Sequence, residues 1–234
     1  MITPRRSDDR GKANHDWLQT KHTFSFATYR DPRFVGFQRL IVINEDHIAP
    51  SSGFGAHHHD NMEIITYVIS GQLEHKDSMG TGSIIRAGDV QYMSAGTGVD
   101  HSEYNPSASQ PVHLLQMWLL PNKHGHEPTY DQRHFSDDEK RNKLRLIATD
   151  QAGVDALVIR SDAQLYGCLL DAGRTVEHAL KPHRSGWLQL VSGELDVNGV
   201  DLSVGDGIAV TNESALNIAA IHKSEFVLYD IAEA

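Results

Sequence analysis

Two short segments carry side chains suited to holding a metal ion. In GAHHHDN, His57 and His59 are two residues apart, so on an extended strand both imidazoles project to one face while His58 projects to the other. VDHSEYN repeats that spacing with His101 and Glu103. If the two strands face each other across a barrel, three imidazoles and a carboxylate converge on one point. Such a set suits a single divalent transition metal, and a mixed imidazole and carboxylate shell with open positions is typical of mononuclear oxygen-using centres. The donors alone do not choose among iron, nickel, cobalt, copper and zinc. Fifteen histidines in the chain point the same way.

Glu63 shares parity with His57 and His59 if the strand runs unbroken, so it competes with Glu103 as the acidic ligand. Glu103 is favoured, because its neighbour is itself a ligand and a bulge after residue 59 turns Glu63 away. Glu63 then becomes a candidate for orienting an imidazole from behind. The HGH segment at 124–126 has the same spacing, but it follows a Pro-Asn turn and has no second pair, so it reads as loop.

The elements that must position these residues are short β-rich runs separated by Gly, Asn-Gly or Ser-Gly, with few segments of helical period. RLIVI, EIITYVI, DVQYMS, VHLLQMWLL, GWLQLV and EFVLYDI are examples. The chain also repeats itself: SerGlyGlnLeuGlu at 70–74 precedes AlaGlyAspVal at 87–90, and SerGlyGluLeuAsp at 192–196 precedes ValGlyAspGly at 204–207. A duplicated jelly-roll barrel of the cupin type accounts for the repeat. Between the blocks, HFSDDEKRNK has a Ser N-cap followed by acids and then bases, the order of a short helix or helical turn. The expected organisation is an N-terminal barrel over 1–122, a linker over 123–145 and a C-terminal barrel over 146–234.

Aligning the repeats through Gly71 and Gly193, and through Gly88 and Gly205, places Ala179 and Lys181 where the first half has His57 and His59, and Ile218 and Ala220 where it has His101 and Glu103. The second barrel keeps the turns and loses the ligands. His178 and His183 differ in strand parity and read as structural or rim residues, so no second metal is expected.

A net charge of −10 repels phosphate backbones and anionic lipid, which disfavours direct nucleic-acid binding and a membrane role. No apolar run approaches the roughly 18 residues of a spanning helix. The polar start MITPRRSDDRGKANHDW lacks a signal-peptide core, so a cytoplasmic location is expected. Cys168 is the single cysteine, set in the apolar run LYGCLL, and reads as a packed, inert thiol.

The chain resembles the pirin family of bicupins, and within it the bacterial pirin-like quercetin 2,3-dioxygenases. The resemblance rests on HTFSFATYRDP at 22–32, HHHDNMEIITYVISGQLEHKDSMG at 57–80 and GDVQYMSAGTGVDHSEYNP at 88–106, and it extends over essentially the whole chain. It implies an all-β fold of two barrels packed face to face, with one metal, usually iron, bound in the first by His57, His59, His101 and Glu103. One departure is local: the usual His-Pro-His is His57-His58-His59 here, without the stiffness of proline.

The resemblance further implies a dioxygenase that opens a flavonol such as quercetin with loss of carbon monoxide. Metal binding lowers the pKa of the flavonol hydroxyl, and Glu103, loosened from the metal, can take that proton as general base. Phe24, Phe26, Met93 and Met117 are candidate apolar walls for a flat substrate, with plain core packing the simpler reading of each alone. A second reading, from the eukaryotic relatives, is a metal- or redox-sensing protein that regulates a protein partner. A third is a metal that only stiffens the barrel. An open coordination position separates the third from the others.

Overall fold

Side-chain alternation along single strands shows how the barrels are built. The computed structural model describes residues 1–233. In the strand Val112–Leu119, Leu114 packs with Ile48, Val68 and Leu73 inside the first barrel, whereas Leu115, Met117 and Leu119 belong to a cluster shared with the second. The strand Glu63–Ser70 divides likewise, with Val68 inside and Ile65 and Tyr67 outward. Both faces of these strands are therefore buried.

The first barrel consists of a seven-stranded and a four-stranded antiparallel sheet. In spatial order the larger holds Thr129–His134, Asp89–Ser94, Glu63–Ser70, Val112–Leu119, Leu40–Ile48, Leu18–His22 and Gly11–His15. The smaller holds Ser52–His59, Val99–Asn105, Gln72–Asp77 and Gly82–Arg86. The second barrel repeats the plan: its larger sheet runs Ile2–Arg5, Gly207–Val210, Arg184–Ser192, Ser224–Ala232, Ala163–Leu170, Arg145–Thr149 and Leu157–Val158. Its smaller sheet runs Thr175–Ala179, Ala215–Ala220, Glu194–Val197 and Val200–Ser203. The two larger sheets meet face to face. Trp187 sits between Phe24 and Phe37, at ring-centroid distances of 4.9 and 5.4 Å. Each large apolar side chain fully buried there contributes about 1.5–3 kcal/mol.

Two strands cut across the expected bounds. Ile2–Arg5 pairs with Gly207–Val210, so the start of the chain completes the second barrel's edge. Thr129–His134, within the expected linker, pairs with Asp89–Ser94 and closes the equivalent edge of the first. Edge strands present unpaired amide and carbonyl groups, and each barrel satisfies them with a segment from outside its own duplicated unit. Only Asp137–Lys140 of the linker is helical, and its Ser136–Glu139 capping box is the one the sequence announces.

Candidate metal centre

The strand Ser52–His59 lies beside Val99–Asn105, with His57 opposite His101 and His59 opposite Val99. A register shift between His101 and Glu103 sets Glu103 opposite Phe54. Gly53 permits this approach, because a Cβ there would lie 2.2 Å from the Glu103 carbonyl oxygen. The result brings ring nitrogens of His57, His59 and His101 within 4.8 Å of one another. His57 lies 4.4 Å from His101 and 4.8 Å from His59, between ring centroids. His58, on the opposite face, meets Asp100 at 2.9 Å in solvent.

Burial keeps the His59 and His101 imidazoles in ligand form. It lowers the His101 pKa to about 3 and the His59 pKa to about 4, with the neighbouring imidazoles adding to the effect, so both rings are neutral. Glu103 is buried and its carboxyl is pushed up to about 7 by loss of solvent, partly offset by a hydrogen bond from Gln116. Among the described residues, neither ring nitrogen of His101 nor Oε1 of Glu103 has a hydrogen-bond partner. Unpartnered donors and acceptors at this depth are costly unless something else engages them, and neutral imidazoles with a carboxylate are the donors a divalent metal takes. The three imidazoles therefore fit the ion, and Glu103, outside the group whose donor atoms come together, stands beside them as a candidate fourth donor.

The groups behind the ligands are also ordered. His57 Nδ1 lies 2.8 Å from the Gly55 carbonyl oxygen, which assigns that nitrogen the proton and leaves Nε2 as the donor to a metal. Trp118 Nε1 donates to Gln116 Oε1 at 3.2 Å, and Gln116 Nε2 donates to Glu103 Oε2 at 2.7 Å. This orientation of the Gln116 amide reserves Oε1 of Glu103 for other work. Gln116 belongs to a polar row across the larger sheet, in which His22, Asn44, Gln116, Thr66, Gln91 and Gln132 are successive cross-strand partners. Direct partners share a face, so the row lies together behind the ligand-bearing sheet. A cavity of about 300 Å³ opens onto His57, His59 and Glu103 and is walled by Leu18, Phe26, Phe54 and Trp118.

The comparisons with known proteins agree with this architecture. The family model for pirin matches residues 4–119. The chain is 45% identical over 231 residues to the quercetin 2,3-dioxygenase of Escherichia coli O157:H7, covering 99% of both. It belongs to the pirin family. A pirin-like protein of Caulobacter vibrioides is 41% identical over 233 residues, covering 99% of this chain and all of the relative. The crystal structure of the bacterial pirin YhhW from Escherichia coli in complex with nickel(II) superposes with a TM-score of 0.96 at 43% identity, over 100% of each chain. The second half matches the family model for the quercetinase C-terminal cupin domain at residues 146–231.

Several sequence expectations need correcting against this pirin's structure. The strand bearing His57 ends at His59, and Glu63 opens the next one after a turn in which Asn61 takes φ +46°. Glu63 therefore faces the other barrel, accepting hydrogen bonds from Tyr92, from Ser94 at 2.8 Å and from the Arg160 backbone at 3.2 Å. It orients no imidazole. Phe24 and Met117 belong to the inter-barrel core, and Met93 packs with Ile64, Ala95 and Val99. Of the four apolar candidates, Phe26 alone lines the cavity.

In the second barrel, cross-strand register sets Val176 and His178, not Ala179 and Lys181, opposite Ile218 and Leu216. The loop before the following strand is longer there, which the turn-to-turn alignment does not see. His178 engages Asp230 at 2.8 Å, and the interior is filled by Leu188, Leu190, Leu195, Val197, Ile208 and Phe226. Cys168 lies in this apolar interior, and burial pushes its thiol up to about 12.

Proposed function

We propose that this pirin is a metal-dependent dioxygenase acting on flavonols such as quercetin, with His57, His59, His101 and Glu103 as ligands of one divalent metal. Iron(II) is the ion the family resemblance suggests. The observation that carries the reading is the cluster of His57, His59 and His101, with the unpartnered Glu103 Oε1, beside an open cavity that His57, His59 and Glu103 line. A metal that only stiffened the barrel would need no such access. Two Escherichia coli relatives at 45% identity are named quercetin 2,3-dioxygenase, which supports the substrate class, and the nickel(II) complex of YhhW supports a divalent ion.

When bound, the metal supplies Lewis-acid polarisation and a site where a flavonol and dioxygen are brought together. The remaining work belongs to the chain. Leu18, Phe26, Phe54 and Trp118 form a wall against which flat rings pack while water is displaced. Gln116 holds Oε2 of Glu103, so Oε1, once loosened from the metal, takes the proton of the flavonol hydroxyl. In that step the hydroxyl O–H bond breaks and an Oε1–H bond forms. Flavonol and dioxygen together give a ring-opened ester and carbon monoxide, so no external reductant enters.

The test is dioxygen uptake measured alongside quercetin loss, on protein reconstituted anaerobically with Fe(II), beside His101→Ala and Glu103→Ala. Coupled consumption in the wild type, absent from both variants, is expected. No uptake by protein holding one metal per chain would sink the flavonol assignment.

A further inference from the structure

A second cavity, of about 640 Å³, lies outside the barrel and shares two walls with the metal cavity, Phe26 and Trp118. These rings meet edge to face at 5.5 Å and form the partition between the two spaces. Its other walls include Val35, Ile41, Val42 and Met62, with Arg30 at the rim. Val35 is 66% exposed, so its side chain is free to meet a ligand in this space.

The loop that builds this space is tied in place. Ser25 N donates to Phe34 O at 2.7 Å, and Phe26 and Tyr29 exchange backbone bonds at 3.1 and 2.9 Å. Asp31, buried, accepts from Arg33 Nε at 3.0 Å and Nη2 at 2.9 Å. Arg5, from the strand that completes the second barrel, lies over the Phe34 ring at 3.9 Å. Such anchoring is that of a preformed wall and differs from that of a mobile flap.

Size decides what the space is for. The metal cavity, at about 300 Å³, sits at the bottom of the range of roughly 300–1,000 Å³ for small-molecule sites, and the metal with its chelating ring takes much of it. A ligand with a second ring system has the outer space, beside the same Phe26 and Trp118 rings, to extend into. We propose that the outer cavity is a subsite for the aromatic arm of a metal-chelating ligand, with Val35 covered by that arm and the Arg30 guanidinium beside any acidic substituent on it. Phe26 and Trp118 then contact both parts of one ligand. Because Trp118 also orients Gln116, arm binding bears directly on how Glu103 is held.

This inference rests on the metal reading but not on turnover, so its test is binding. Ni(II)-loaded full-length protein is titrated anaerobically by calorimetry with maltol, a single-ring hydroxypyranone chelator, and with quercetin, which adds the arm. Wild type is compared with Val35→Asp, a change at an exposed position. The expected result is roughly tenfold weaker quercetin binding in the variant, from lost apolar contact and a carboxylate set against the arm, with maltol affinity unchanged. Equal loss for both ligands, or no loss for either, overturns the subsite. So does maltol binding without quercetin binding in the wild type, which would leave the metal centre intact. If neither ligand binds protein that holds one nickel, the open metal site fails and the subsite with it.

Discussion

Replacing Glu103 by Gln should change how the stability of the metal-free protein depends on pH, by an amount the structure sets. Burial holds the Glu103 carboxyl at about 7 against an ordinary value of 4.5. A carboxyl whose folded pKa is raised contributes stability that is complete below the unfolded value and is lost as pH rises through the folded one. The window is therefore pH 4.5 to 7, and the difference corresponds to about 3 kcal/mol. Wild type alone hides this loss, because His59 and His101, lowered to about 4 and about 3, gain stability over much of the same window. Asp46, raised to about 7 by burial and by the Glu103 charge, adds to the loss. The difference between variant and wild type carries the Glu103 contribution together with the part of the Asp46 shift that the Glu103 charge supplies. The assay is urea unfolding of both metal-free proteins from pH 4.5 to 7.5. Wild type should lose about 3 kcal/mol relative to Glu103→Gln across that range, or roughly 6–12 °C in a thermal scan. A flat difference would refute the claim that Glu103 is a buried, solvent-deprived carboxyl.

Nickel(II) at a hundredfold excess over its Kd should stabilise wild type by about 2.7 kcal/mol at pH 7 and progressively less toward pH 5, as the Glu103 carboxyl protonates; calorimetric melts check this, and His101→Ala should abolish it. Trp118→Phe keeps an aromatic wall but removes the Nε1 donor to Gln116, and should cut kcat about tenfold with bound metal unchanged, measured by steady-state kinetics beside elemental analysis. Arg5→Leu removes a buried guanidinium that bonds the Thr23 carbonyl and the Tyr29 hydroxyl across the barrel interface, and should destabilise the fold by about 3 kcal/mol in urea unfolding without altering metal stoichiometry.

The convergence of His57, His59 and His101 was legible because strand parity is a strict geometric rule. His57 and His59 must share a face whatever the rest of the chain does, and so must His101 and Val99. Glu63 was misread as orienting an imidazole, because a break in the strand after His59 says that the side chain turns away but not what it then meets. The duplicated Ser-Gly and Gly-Asp turns announced two barrels. They gave no sign that Ile2–Arg5 closes the second, since four residues carry too little pattern to choose a partner across the chain. Gln116 and Trp118 escaped notice although a signal was present. A glutamine inside the apolar run VHLLQMWLL, like Asn44 and Asp46 in LIVINEDHI, marks an interior that cannot be purely hydrophobic. Phe24, Met93 and Met117 illustrate the opposite error, since apolar side chains in strands buried on both faces do not reveal which face meets a ligand.

The most direct test of the central claim is X-ray absorption at the metal edge on protein reconstituted with one Fe(II) per chain, in wild type and in His101→Ala. The account requires a nitrogen and oxygen shell whose outer scattering fits three imidazoles in the wild type and loses one in the variant. A shell containing sulfur, fewer than three imidazoles in the wild type, or a spectrum that His101→Ala leaves unchanged would contradict it.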